Sequence, residues 1–385
     1  MNAYAKTKKV LLITNIPTPY RIPLFNELNA QMESNGLKLK VVFGALTYPR
    51  RKWIIDMSEC RFDYIVLPAR NIHKGNSDGT LFTYSRLLTI LYREKADLII
   101  VAGFSIATIK LWFLSLFKRT PYIIWSGAVE RKGQKTPSTR RMQRKILIKR
   151  AASFIAYGTR AKDYLVSLGA NESDVYIGIN TVDVEHFKVK TIDIRNNLGN
   201  DERKKHLLHV GHLTKGKRID QLFYAIKLLL DKRQDLELHI VGSGPEQNNL
   251  MLLAQQMKID EFVRFEGYKQ KEHIPYYLAQ ADLFLFPSEY DVWGLVLVEA
   301  MAAGVPCIAS VYAGATQDLI EDGVTGFVMD FCKTAKVAKK INWLLENPHL
   351  AKQIGQNASR FVGQNISLEK AASGFVETIR NTMQV

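Results

Sequence analysis

The chain has 385 residues, 47% of them hydrophobic and 23% charged, which is long and apolar enough for two domains with full cores and excludes a disordered chain. Three scattered cysteines, Cys60, Cys307 and Cys332, with no Cys-x-x-Cys, exclude a disulfide framework or a cysteine zinc site and point to a reducing cytoplasm. The net charge of +16 lies almost wholly in one half: residues 1–185 carry 29 Lys and Arg against 14 Asp and Glu, residues 186–385 carry 24 against 23, so the N-terminal half is expected to meet an acidic partner.

Apolar runs alternate with helical patterns from the start. Residues 1–9 run straight into a strand-like segment without the apolar stretch and cleavage site of a signal peptide, so export is not expected. Strands are predicted at Val10–Thr14, Lys38–Gly44, Tyr64–Leu67, Leu98–Ala102 and Tyr122–Trp125, with helices near Ile22–Ser34 and Thr80–Glu94. The pattern restarts after position 200. Strands are predicted at His206–Val210, Leu236–Val241, Val263–Glu266, Leu283–Pro287 and Cys307–Ser310, and helices over Ile219–Lys232 and Glu246–Met257, with Ile274–Ala279 a further run in the alternation. Such alternation argues for parallel sheets covered on both faces. The expectation is an α/β protein of two doubly wound, Rossmann-like domains, 1–187 and 188–365, joined at the polar stretch His186–Arg203. Residues 366–385 are expected to form a helix that packs back on the first domain. A substrate site is expected in a cleft between the domains.

Three stretches of the first half carry possible chemistry. Asn15–Arg21 (NIPTPYR) follows the first strand; Pro17 and Pro19 stiffen it, and Arg21 is either a contact to a phosphate or acceptor anion or a charge on a helix surface. Trp125–Glu130 (WSGAVE) follows a later strand and offers Ser126 and Glu130 as contacts, with surface or structural roles as the alternative. Arg131–Arg150 holds nine Lys and Arg and no acid, interleaved with Met142, Ile146, Leu147 and Ile148. On a helix from about Ser138 these form a basic face and an apolar stripe, and Trp112, Phe113, Leu116 and Phe117 lie nearby ahead of Lys118-Arg119. A basic amphipathic surface with aromatics suits an anionic membrane interface, each basic residue contributing about 1 kcal/mol. The alternative is a core stripe with solvated charges. Gly103 and Lys110 argue against a membrane span over Leu98–Phe117, and no recognisable nucleic-acid module accompanies the charge, so nucleic acid is not an expected partner.

The second half is more specific. Pro287–Ser310 (PSEYDVWGLVLVEAMAAGVPCIAS) reads as a strand end, a turn at Gly294, a helix from Leu295 stopped by Gly304-Val305-Pro306, and a second short strand. It sets Asp291 and Glu299 with seven residues between them about a helix start, where backbone N–H groups favour anions and carboxylates can accept hydrogen bonds from sugar hydroxyls. Val210–Asp220 (VGHLTKGKRID) is a glycine-containing loop with Lys215, Lys217 and Arg218, placed between a strand and a helix and suited to a diphosphate. Val241–Glu246 (VGSGPE) is a further glycine turn of the same kind. His209 lies within a strand pattern and reads as packed.

These motifs together resemble glycosyltransferase family 4 (glycosyltransferase group 1), retaining enzymes of the GT-B fold. The resemblance covers about half the chain, chiefly 205–330. It implies a nucleotide diphosphate sugar as donor substrate and no cofactor, and with no Asp-x-Asp cluster in the sequence no metal is expected. The family signature has two glutamates; here Asp291 stands in the first place, which touches the transferred sugar, and Glu299 in the second, which holds the ribose. Glu289 is a rival for the first role. Gly211, His212, Gly216 and Lys217 fall on the phosphate loop, with His212 where arginine is usual and Arg218 where glycine is usual. Tyr268 and Lys269 fall where the family meets the base, and Trp293, Gly294 and Leu295 present amides to the diphosphate. Gly314-Ala315-Thr316 matches the loop after the signature. Relatives often place a glycine-rich loop at Asn15–Arg21 and a histidine near Trp125–Glu130; this chain has neither, and His73 and His209 are tempting substitutes.

The resemblance implies a retaining hexosyltransferase with Asp291, Glu299 and Lys217 as catalytic residues; the basic amphipathic surface adds the expectation of a glycan or lipid-linked acceptor and a peripheral place on the inner face of the plasma membrane, and Arg21 and Glu130 are candidate acceptor or donor contacts. A nucleotide-sugar epimerase or hydrolase of the same fold, or a decayed donor-binding scaffold, remain open on sequence.

Overall fold

The computed structural model describes residues 7–47, 52–68, 71–73, 80–118, 120–130, 136–198 and 204–384. The chain divides into two units, Met1–Asn180 with Leu368–Val385, and Thr181–Ser367. The divisions expected from sequence lie at 187/188 and 365/366. The helix Val184–Asn197, N-capped by Asp183 through the amide of His186 at 3.0 Å, begins the second unit. Gly199–Arg203 of the expected junction lie outside the described residues.

Among the described residues the first unit is built on nine strands: β1 Lys8–Thr14, β2 Leu37–Phe43, β3 Asp63–Val66, β4 Asn71–His73, β5 Thr80–Phe82, β6 Leu98–Ala102, β7 Tyr122–Ser126, β8 Ser153–Ala156 and β9 Val175–Ile177. Seven form one parallel sheet in the order β3-β2-β1-β6-β7-β8-β9. Val10–Ile13 are fully buried, as a central parallel strand covered on both faces requires. The predicted helix Thr80–Glu94 needs correction. Thr80–Phe82 is a strand paired antiparallel with β4, and the helix covers only Leu87–Glu94. Tyr84 and Arg86 between them adopt left-handed backbone at φ 49° and 60°, which ends any continuous helix there.

The C-terminal helix Leu368–Met383 belongs to this first unit. Its Phe375 is fully buried edge-on against Trp125, ring centroids 5.0 Å apart, and Thr382 donates to Ser153 of β8 at 2.8 Å.

The second unit holds β10 Lys205–Val210, β11 Leu236–Val241, β12 Val263–Gly267, β13 Leu283–Phe286, β14 Cys307–Ser310 and β15 Phe327–Met329. All are parallel, in the order β12-β11-β10-β13-β14-β15. The helices Ile219–Leu230 and Thr334–Glu346 bury Leu222, Phe223, Ile226 and Ile341 against Leu207, Leu238, Ile240 and Leu285 on one face. The order reverses between β10 and β13, so the loops leaving those two strands diverge and leave a crevice at their carboxyl ends, the place where open α/β sheets bind ligands.

Candidate functional site

That crevice collects the motif residues. The loop after β10 carries Gly211, His212, Gly216 and Lys217; the loop after β13 carries Asp291, Trp293 and Gly294. Lys217 Nζ forms an ion pair and hydrogen bond with Asp291 Oδ2, joining the two loops, and lies 5.3 Å from the centroid of the Phe286 ring. The other oxygen, Oδ1, accepts from the Trp293 amide at 3.2 Å. A second tie runs from the Glu289 amide to the Gly216 carbonyl at 2.9 Å. Asp291 and Trp293 also accept through their carbonyls from the amides of Gly314 and Ala315, so the loop 313–316 braces the signature from the other side.

The rival acid separates from Asp291 by environment. Glu289 keeps 56% of its side chain exposed and pairs with Arg218 at 3.3 Å, whereas Asp291 keeps 20%. Arg218 is also held by Asp220 at 3.2 Å, and the two carboxylates hold its guanidinium protonated, Asp220 most strongly. It is therefore committed to those acids.

His212 donates from Nδ1 to the Ser243 carbonyl at 2.6 Å. A carbonyl can only accept, so the neutral ring carries its proton on Nδ1 and offers Nε2 as an acceptor; a donor to phosphate from Nε2 requires the imidazolium. The bond also ties the glycine turn after β11 to the loop after β10. Gly242 is at φ 139°, and a Cβ there would stand 1.9 Å from the Gly211 carbonyl oxygen, so only glycine lets the two backbones meet.

Gly294 has the same double requirement. Its φ is 97°, and a Cβ would stand 2.7 Å from Phe286. The turn opens the helix Leu295–Ala302, and the amides of Gly294 and Leu295 find no protein acceptor among the described residues. Glu299, on this helix, keeps some exposure, yet no hydrogen bond among the described residues reaches its carboxylate. Burial of that group pushes it up to about 7, only partly offset by Lys271.

His209 lies in β10 as expected and is fully buried; its second nitrogen carries no signal in the sequence. Nδ1 donates to the Leu285 carbonyl at 2.9 Å, and burial drops the ring to about 4, so it is neutral. Nε2 is buried without a partner and lies 3.3 Å from where a Gly211 Cβ would be. Ser288 Oγ and Trp293 Nε1 are buried and unpartnered in the loop after β13. Tyr268 donates to Gln270 at 3.2 Å, and Lys269 Nζ lies 5.6 Å from the Tyr277 ring centroid.

In the first unit, Arg21 is no surface charge. It is 7% exposed, sits 4.0 Å from the Trp125 ring centroid and donates to Tyr157 Oη at 2.8 Å, while its Nη1 is buried without a partner. Glu130 pairs with Arg141 at 3.4 Å and stays half exposed; Ser126 is buried and accepts from the Ala128 amide. On the helix Ser138–Ile148 the predicted stripe splits: Leu147 and Ile148 are core, whereas Met142 and Ile146 are exposed. Phe113 and Phe117 are 58% and 76% exposed and stack edge to face. Arg150 anchors the end of that basic helix to Ser115 at 2.7 and 2.9 Å, and Lys118 lies over exposed Tyr92, so these groups share one surface. Residues 131–135, Arg119 and the His73 side chain lie outside the described residues. No helix among the described residues is long and apolar enough to cross a membrane.

Residues 190–361 match the family model described as glycosyl transferases group 1. Among curated proteins the chain is similar to N-acetyl-alpha-D-glucosaminyl L-malate synthase of Bacillus anthracis, 32% identical over 194 residues, covering 50% of each chain. It is also similar to alpha-D-kanosaminyltransferase of Streptomyces kanamyceticus, 26% identical over 229 residues, covering 58% of this chain and 59% of the relative. The chain thus spans about half the length of the curated relatives it matches. Among solved structures, sucrose-phosphate synthase from Thermosynechococcus elongatus superposes with a TM-score of 0.80 at 19% identity over 98% of this chain and 99% of that one. Anabaena HepE in complex with UDP superposes at 0.76 and 19% identity, over 97% and 100%. At these identities the likeness establishes the fold, which is GT-B.

Proposed function

On the premise that this chain is a GT-B protein carrying a glycosyl transferases group 1 domain over residues 190–361, we propose that it is a retaining hexosyltransferase that moves a sugar from a nucleotide diphosphate sugar to a glycan or lipid-linked acceptor. The observation that carries the reading is the Lys217–Asp291 pair at the strand-order reversal. A cation able to meet a diphosphate and a carboxylate able to accept from a sugar hydroxyl on facing loops support the reading, and UDP is the ligand of the structural neighbour HepE.

In this reading the bond between the anomeric carbon and the diphosphate oxygen breaks, and a bond to the acceptor oxygen forms on the same sugar face. The acceptor proton passes to the departing diphosphate, so no enzyme nucleophile is needed. Lys217, the Gly294 and Leu295 amides and protonated His212 balance the charge that develops on the leaving group. Asp291 orients Lys217 and accepts from a sugar hydroxyl with its remaining lone pairs. Glu299 accepts from the ribose hydroxyls, and Tyr268 and Lys269 border the base. The unpartnered His209 Nε2, Ser288 Oγ and Trp293 Nε1 support a ligand here, since buried polar atoms are ordinarily satisfied. The charge balance is supplied by cationic side chains and amides, and the transfer is read as metal-independent.

Arg21, held between Trp125 and Tyr157 with Nη1 unpartnered, is proposed as an acceptor contact; Glu130, paired with Arg141, has less to support it. The exposed Phe113, Phe117, Met142 and Ile146 beside the basic helix support attachment to the anionic inner face of the plasma membrane. Incubation of a nucleotide sugar with acceptor lipids, followed by NMR of the product's anomeric carbon, tests the reading. Retained configuration is expected; inversion, or free epimerised sugar from donor alone, would overturn it.

A further inference from the structure

At the opposite end of β10 and β11 from the crevice, the sheet assembles a group of side chains that no motif announced. His206 and Glu237 are register partners on adjacent strands, and His239 follows Glu237 by two residues, so all three project from one face. His206 Nδ1 and His239 Nε2 are 3.1 Å apart, His239 Nε2 and Glu237 Oε2 3.3 Å, and His206 Nδ1 and Glu237 Oε2 3.8 Å. A tetrahedral zinc with N and O ligands at about 2.0–2.1 Å holds those atoms about 3.3 Å apart. The triangle has that size.

We propose that His206, Glu237 and His239 bind a divalent transition metal ion, zinc by preference, with a fourth position open to water.

The surrounding groups prepare the ligands. His239 Nδ1 donates to Glu266 Oε1 at 2.9 Å, which fixes the tautomer with the Nε2 lone pair aimed into the triangle. Tyr277 donates to the other oxygen of Glu266 at 3.2 Å, so this orienting carboxylate is itself held. Lys204 and Arg264 engage Glu237 Oε1 at 3.1 and 2.9 Å, leaving Oε2 for the ion. In the metal-free protein the proton on His206 Nδ1 bridges to His239 Nε2; on binding it shifts to His206 Nε2, and the imidazole stays neutral. The His206 amide donates to Asp282 at 2.8 Å, pinning the strand end. His206 and His239 are only partly buried, so an ion can enter. Two imidazoles and one carboxylate favour zinc over calcium or magnesium, which take oxygen ligands. An ion here would clamp β10 to β11 and, through Glu266, to β12.

The test uses tag-free full-length protein stripped with chelator and titrated with zinc against a chromogenic competitor. One equivalent is expected to bind. His206→Ala and His239→Ala should each weaken it by more than the 10–100-fold that loss of an orienting partner costs, and Glu266→Gln by about 10–100-fold. Zinc should also raise the Tm of the wild type and not of the histidine variants. Cobalt substitution of the wild type gives a readout that needs no variant: visible bands of a tetrahedral nitrogen and oxygen site are expected. Thiolate charge-transfer bands, an octahedral spectrum, or zinc affinity unchanged by His206→Ala and His239→Ala would overturn the proposal.

Discussion

Lys217 and Asp291 stand 74 positions apart in sequence and meet as an ion pair across the crevice between β10 and β13. The contact couples the cation of the loop after β10 to the acid of the loop after β13. Asp291 Oδ1 is held by the Trp293 amide, so the loop fixes the carboxylate and the carboxylate fixes the lysine.

Removing the cation should therefore cost donor affinity. A hydrogen bond from a charged donor contributes about 1.5–3 kcal/mol, so Lys217→Ala is expected to weaken nucleoside diphosphate binding by about 10–150-fold in calorimetry. Asp291→Glu installs the longer acid usual in glycosyltransferase family 4 and pushes the carboxylate out by one methylene. A misplacement of about 1 Å can cost about a hundredfold, so turnover is expected to fall toward that extent. Unchanged turnover in Asp291→Glu would show that the loop is not built round aspartate.

Glu299 sets a pH dependence with a definite sign. Its carboxyl is raised from 4.5 to about 7 in the folded protein by burial. Unfolded chains ionise it above 4.5, so the stability it allows is fullest below that value, falls as pH rises toward 7 and levels off above. At pH 8 the penalty is on the order of 3 kcal/mol. Glu299→Gln should therefore raise Tm at pH 8 and leave it near wild type at pH 4.5. Ribose hydroxyls donating to the ionised form should pull the group down again, so donor binding near pH 6.5 is expected to release a proton, seen as a buffer-dependent binding enthalpy.

Gly294→Ala combines backbone strain at φ 97° with a Cβ 2.7 Å from Phe286. Strain of this kind costs about 1–3 kcal/mol, and overpacking about as much again. A fall in Tm of several degrees is expected. Donor binding should weaken with it, because the Gly294 and Leu295 amides move.

The strand and helix periods, the glycine turns and the signature were legible because each is a local pattern. The division of labour among the acids was not. Whether Asp291 or Glu289 faces inward depends on where Lys217 and Arg218 land, 71–74 residues away. The helix predicted over Thr80–Glu94 failed because left-handed backbone at Tyr84 and Arg86 carries no sequence signal in residues of that type. The sequence leaves Arg21 open between an anion contact and a helix-surface charge, because the Trp125 and Tyr157 that bury it come from distant strands and turns. The His206–Glu237–His239 group exists only through strand register, which spacing along the chain does not reveal.

For the membrane surface, Phe113→Ser with Phe117→Ser should reduce co-sedimentation with anionic liposomes while leaving nucleoside diphosphate binding unchanged, since both phenylalanines are solvent-facing in the first unit. High salt should weaken the same binding, because the basic helix contributes through charge.

The central claim is a donor site between the β10 and β13 loops. Calorimetric titration of the full chain with UDP, GDP and ADP sugars tests it most directly. One of them should bind at a single saturable site and lose at least tenfold in affinity in Lys217→Ala; failure of all three to bind, or binding indifferent to Lys217→Ala, would contradict it.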